Sequence, residues 1–230
     1  MKKYGIFLFF ILVCFDSFSQ NKKIKIALVS HIDTTFTLIN EKSVKKIDIN
    51  LNYKWLEFFK TNLDSTKYNI QFESMPENVL DNYFLKSYMY TDGFFKASPK
   101  LNKWFRDLNS KSDYDIIIIL GRVILMNFTG LTDLSNYSYG LMQENNLAFS
   151  LNRILTYKAS NGIILHETKL NDYYDYIRRL KTVDFSKITT DNLDINNIVP
   201  AINVIDSINN GIGSKVCRKI ESHFKSFHKK

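Results

Sequence analysis

The chain has 230 residues, is 45% hydrophobic, holds few Gly and Pro, and carries a formal net charge of +8. A chain of that length can bury an adequate core as one domain, and its apolar content excludes a disordered or collagen-like polymer. The positive charge is spread out, densest over residues 215–230, without a cationic cluster interleaved with exposed aromatics, so no nucleic-acid partner is expected.

The first element is a leader. MKKYGIFLFFILVCFDSFSQ has Lys2 and Lys3, then an apolar run from Tyr4 to Phe15, then small residues at Ser17 and Ser19. This is the tripartite pattern of a secretory signal peptide, and the run is too short to span a bilayer. Cleavage after Ser19 is expected, with residues 1–19 as signal peptide and 20–230 as a single domain. The leader removes Cys14 and leaves Cys217 without an internal disulfide partner, so the fold must rest on its core. Val13 stands before Cys14, where lipid attachment requires a small residue. No other stretch is apolar enough to cross a membrane, so the mature chain is expected to have no transmembrane segment.

KIKIALVS (23–30) reads as a strand, alternating and then continuously apolar. TFTLIN (35–40) alternates and is close enough to form a hairpin with it. Residues 52–63 place Trp55, Leu56, Phe59 and Leu63 at helical spacing, an amphipathic helix for packing on a sheet. Residues 68–74 form a strand ended by Pro76. Val79, Leu80, Tyr83 and Phe84 suggest a short helix, and 88–95 an aromatic loop. Ser98 and Pro99 open a helix with Leu101, Trp104, Phe105 and Leu108 as its buried stripe. DYDIIIILG (113–121) carries an unbroken Ile run, which marks a central strand covered on both faces. Residues 127–146 read as a loop or loose helix, and 171–177 fits no single state. The end is helical, with Ile198, Ile202, Ile205 and Ile208 on one face and Val216, Ile220 and Phe224 on another. Gly211 and Gly213 are places where it could break in two. The order predicts an α/β fold: a single layered domain, a mixed β-sheet with flanking amphipathic helices, and a C-terminal helix.

Chemistry is sparse. Ser30, His31 and Asp33 lie where the first strand ends, and Gly121 and Arg122 where the Ile-rich strand ends. Ligands of open α/β sheets bind beyond the carboxyl ends of parallel strands. If these two strands are parallel neighbours, Ser30, His31, Asp33 and Arg122 are the candidate catalytic residues: nucleophile, base and cationic stabiliser. Adjacency works against them, because Ser30 and His31 point to opposite faces of a strand, and Asp33 and Thr34 suit a turn. Tyr88, Tyr90, Phe94 and Phe95, clustered around Gly93, are the candidate binding residues, since apolar clusters in loops mark recognition patches. The histidines 31, 166, 223 and 228 are scattered, and no HExxH, CxxC or glycine-rich phosphate loop occurs. No Gly-x-Ser-x-Gly is present either. No metal and no cofactor are expected. Cys217 has Lys215, Arg218 and Lys219 near it, and reads as a buried helix cysteine rather than an activated thiol.

RILTYKASNGIILHET (153–168) reads as a hairpin. A three-residue loop, Ser160 to Gly162, puts Gly162 in a left-handed bulge position and sets Leu155 and Tyr157 on one face with Ile163 and Leu165. This run resembles the late hairpin of exported bacterial α/β proteins, among them envelope lipoproteins of the curli-secretion-channel and penicillin-binding-protein-activator kind. IALVSHIDTTFT (26–37), followed by the helix with Trp55, is similar to the start of uncharacterised exported proteins of that group. Lys158 stands where those hairpins have Asp, and Asn161 where they have Thr. The resemblance implies an α/β envelope domain and no catalytic residues. The expected function is binding or assembly in the cell envelope with an envelope protein partner, in the periplasm, at the envelope or outside the cell. A small secreted hydrolase acting through the strand-end cluster is the alternative.

Overall fold

The computed structural model describes residues 23–30, 32, 35–40, 43–50, 54–63, 68–75, 103, 106–107, 110, 113–122, 137–143, 145–160, 162–167, 176–180 and 195–227. The leader, His31, Asp33, Trp104, the four loop aromatics at 88, 90, 94 and 95, and the helix start at Ser98 lie outside these residues. Lys103, Arg106, Asp107 and Ser110 are helical and exposed, the polar side of the helix expected there.

The strands form two sheets where one was expected. The first contains β1 (Ile24–Ser30), β4 (Ile70–Met75), β5 (Ile116–Arg122), β8 (Asn152–Lys158) and β9 (Ile163–Glu167), in the order β4-β1-β5-β8-β9. The second contains β2 (Thr35–Asn40), β3 (Ser43–Asn50), β6 (Tyr139–Met142), β7 (Leu147–Ser150) and β10 (Ile177–Arg179), in the order β3-β2-β6-β7-β10. Both are mixed: β1 runs parallel to β4 and β5, β2 parallel to β6, and every other pair is antiparallel.

The two orders correspond strand for strand. β7 runs into β8 with only Leu151 between them, and this chain pairs with the end of β5 (Arg122 opposite Asn152) and the start of β6 (Tyr139 opposite Ser150). The Leu151 amide donates to the Ser138 carbonyl at 2.7 Å. The second sheet therefore prolongs the first beyond the carboxyl ends of β1 and β5. The hairpin expected between β1 and β2 does not form. Both edges of β1 are taken by β4 and β5, so β2 finds its partners, β3 and β6, in the second sheet.

Among the described residues, α1 (Trp55–Asn62) and α2 (Ile195–Phe227) pack on this frame. α1 buries Trp55 and Phe59, stacked at 5.8 Å between ring centroids. α2 has 33 residues, about 50 Å at the α-helical rise, and packs against β6 and β7 of one sheet and β8 and β9 of the other. It is not broken at its glycines. Gly213 sits where the Phe58 ring would lie 2.3 Å from an added Cβ, so its bareness admits α1. Burial of Ile208, Ile212, Val216 and Ile220 outweighs the roughly 1 kcal/mol that each glycine costs a helix. No helix among the described residues is long and apolar enough to cross a membrane.

β5 is the middle strand, as its Ile run predicts. Ile116, Ile118 and Leu120 join the main core with α1, α2 and the second sheet, while Ile117 and Ile119 join a second buried cluster with Val29, Leu155 and Tyr157 on the other face. The β8–β9 hairpin forms, with Gly162 at φ 67°, but its register is shifted. The Gly162 amide donates to the Lys158 carbonyl at 2.8 Å, closing a loop over residues 159–162 that sets Ile163 opposite Lys158. Ile163 is consequently 56% exposed, Ile164 takes the inward position expected of it, and a bulge follows before Leu165 reaches the main core.

Candidate functional site

The candidate site is the seam where the sheets join. β1 and β5 are parallel neighbours, the condition the strand-end cluster requires. Ser30 pairs in register with Leu120, so Arg122 lies two positions beyond it on the adjacent strand, at the same end of the sheet. Ser30 is half-buried. His31 and Asp33 lie outside the described residues, so the four are not all placed.

The seam itself holds a set of buried polar side chains. Ser150 closes β7, Asn152 opens β8, and Asn209 projects from the middle of α2; each is fully buried. The Ser150 hydroxyl donates to Asn209 Oδ1 at 2.6 Å. Asn152 Nδ2 donates to Ser150 Oγ at 2.8 Å and to Asn209 Oδ1 at 3.2 Å. Tyr139 at the start of β6 is 1% exposed, and its hydroxyl has the N–H groups of Trp55, Asn152 and Asn209 around it. Burial dominates there and pushes the phenol up to about 12, with the Asp206 carboxylate adding to the rise, while those three donors pull it down. Asp206, one turn before Asn209, is half-buried and raised by desolvation.

The chemistry of this cluster follows from its groups. Ser150 already donates one hydrogen bond and accepts another, from amides that cannot take its proton. Tyr139 stays neutral through physiological pH. Ser150, Asn152, Asn209 and Tyr139 supply no base to activate a hydroxyl, but the bonds among the first three can hold strands and helix in one arrangement, because buried polar groups are costly when left unpaired. Arg153, next along β8 and opposite Gly121, is 2% exposed and engaged within the protein. A buried guanidinium must likewise be compensated.

Other candidates resolve simply. Cys217 is 4% exposed, and burial pushes its thiol up to about 12, opposite to what a nucleophile needs. The half-buried imidazole of His223 is lowered by burial first and by Lys158 second. Among the described residues no group of three or more His, Cys, Asp or Glu could hold a metal ion.

The sequence candidates did not include Ser150, Asn152 or Asn209. One signal was available: Asn209 is a polar residue inside the apolar stripe of Ile205, Ile208 and Ile212. No family model matches the chain, and neither a curated protein nor a solved structure was found to match it.

Proposed function

We propose that the chain is exported through its leader and works in the bacterial cell envelope by binding or assembly, without catalysis. The observation that carries this reading is the seam. In an open α/β sheet the space beyond the carboxyl ends of parallel strands receives the ligand. Here a second sheet continues from those ends, and Ser150, Asn152 and Asn209, buried at the seam, are neutral and bonded to one another. Export rests on the residues of the leader and on the resemblance of the hairpin to that of envelope proteins. Cell fractionation with N-terminal sequencing tests it. The expected product starts at Gln20 in the exported fraction; a full-length protein retained in the cytoplasm would overturn the proposal.

One observation favours the hydrolase reading. The parallel pairing of β1 and β5 brings Ser30 and Arg122 to one end of adjacent strands. The purified protein would then cleave ester or peptide reporters and lose that activity in Ser30→Ala. Turnover surviving in Ser30→Ala would remove this site from consideration.

A further inference from the structure

The exposed face of α2 changes character along its length. In its first half the exposed residues are Asn196, Asn197, Val199, Asn203, Ser207 and Asn210, none charged. In its second half they include Arg218, Lys219, Ser222 and Lys225, with Lys215 half-buried beside them. Positions 218, 222 and 225 recur every three to four residues, so they lie on one stripe about 10 Å long, with Lys219 flanking it. The only acidic residue in this half, Glu221, is half-buried. Among the described residues Arg218, Lys219 and Lys225 make no ion pair.

Ordinary causes do not account for this stripe. Cations near a helix C-terminus offset the macrodipole, but that effect fades within the last turn. Arg218 and Lys219 stand more than two turns before Phe227, where the helix ends. Ion pairing among the described residues does not neutralise Arg218, Lys219 or Lys225. A rigid row of unneutralised cations suits a surface that presents many anions in one plane. The sequence continues past the helix with His228, Lys229 and Lys230, adding charge of the same sign.

We infer that the C-terminal half of α2 docks on an anionic phospholipid surface, the row of cations lying against phosphate headgroups. The inference rests on export to the envelope, where such surfaces are met, and names the surface to which the chain is held. Attraction of this kind scales with the number of cations and is screened by salt.

Co-sedimentation of the full chain with phosphatidylglycerol-containing vesicles and with purely zwitterionic vesicles tests it. The leader, with Lys2 and Lys3, is the same in every variant, so the readout is the change that a substitution makes in the ratio of the two partition coefficients. The ratio should favour anionic vesicles at low salt and fall as salt is raised. Lys219→Gln with Lys225→Gln should lower it roughly 30-fold, from about fivefold per cation. Asn203→Gln, on the uncharged half, should leave it unchanged. An equal ratio for wild type, or an unaltered ratio in the double variant with wild-type circular dichroism, would overturn the proposal. So would tight, salt-sensitive binding to nucleic acid with no preference for anionic vesicles. Export without a vesicle preference would sink the docking face and leave the envelope reading standing; a vesicle preference without export would do the reverse.

Discussion

The two ends of the first sheet are built on opposite principles. At the amino ends of β1 and β5 the polar groups are charged and near water: Lys25 pairs with Asp113 at 2.6 Å, and its backbone amide donates to Asp115 Oδ2 at 3.0 Å. At the carboxyl ends the polar groups are buried: Ser150, Asn152, Asn209 and Tyr139 under α2 are neutral, and the Arg153 guanidinium on β8 is buried beside them. Charge is tolerated where solvent can screen and hydrate it. Where the second sheet and α2 exclude water, neutral groups that hydrogen-bond one another cost less than charge. The end that holds ligands in other α/β sheets is here a joint between sheets.

Substitutions at the two ends should therefore differ sharply in effect. Asn209→Ala should be the most damaging. It removes the acceptor of two hydrogen bonds and leaves Ser150 and Asn152 donors buried without it, a loss of about 3 kcal/mol in urea unfolding. A cost under about 1 kcal/mol would show that the seam does not depend on this network. Gly140→Ala comes next. Its Cβ would lie 2.1 Å from the Thr37 carbonyl oxygen and 2.5 Å from the Phe149 ring. Overpacking against backbone should cost about 2–3 kcal/mol, read as a lower denaturation midpoint.

Alkali sharpens the contrast. Burial holds the Tyr139 phenol neutral up to about 12, above its ordinary 10.0, and the Cys217 thiol up to about 12, above 9.0. Both are acids favoured in their neutral form by folding. Their stabilisation is full below the unfolded values and is lost as pH rises from about 9 for the thiol and about 10 for the phenol. Tyr139→Phe should abolish the phenol's part of that loss, about 2 kcal/mol between pH 10 and 12. Unfolding curves at stepped pH would read it; an unchanged slope would mean that the phenol titrates freely in the folded state. The smallest effect belongs to the other end. Asp113→Asn, breaking an exposed pair, should leave the unfolding midpoint indistinguishable from wild type.

Much of the local structure was legible before folding. The Ile run of β5, the stripe of Trp55 and Phe59, and the helical spacing of the last 33-residue element follow from periodicities set by backbone geometry. β3, β6 and β10 escaped notice because their sequences do not alternate. In β3 Val44 and Ile47 stand three apart, which breaks a period of two, and the pairing with β2 is irregular beyond Ile47. β7 was hidden because it runs into β8 without a turn.

What the sequence by itself determined was the set of local elements and the left-handed conformation at Gly162, because these depend on neighbours a few residues away. Only the tertiary structure decided which sheet β2 joins, since that turned on the edges of β1 being occupied by strands from residues 70–75 and 116–122. It also decided the register that exposes Ile163, through the hydrogen bond closing the hairpin loop. The seam is the clearest case. Asn209 meets Ser150 and Asn152 across 59 and 57 residues of chain, and a side chain's solvent, and with it its chemistry, is set by whatever packs over it.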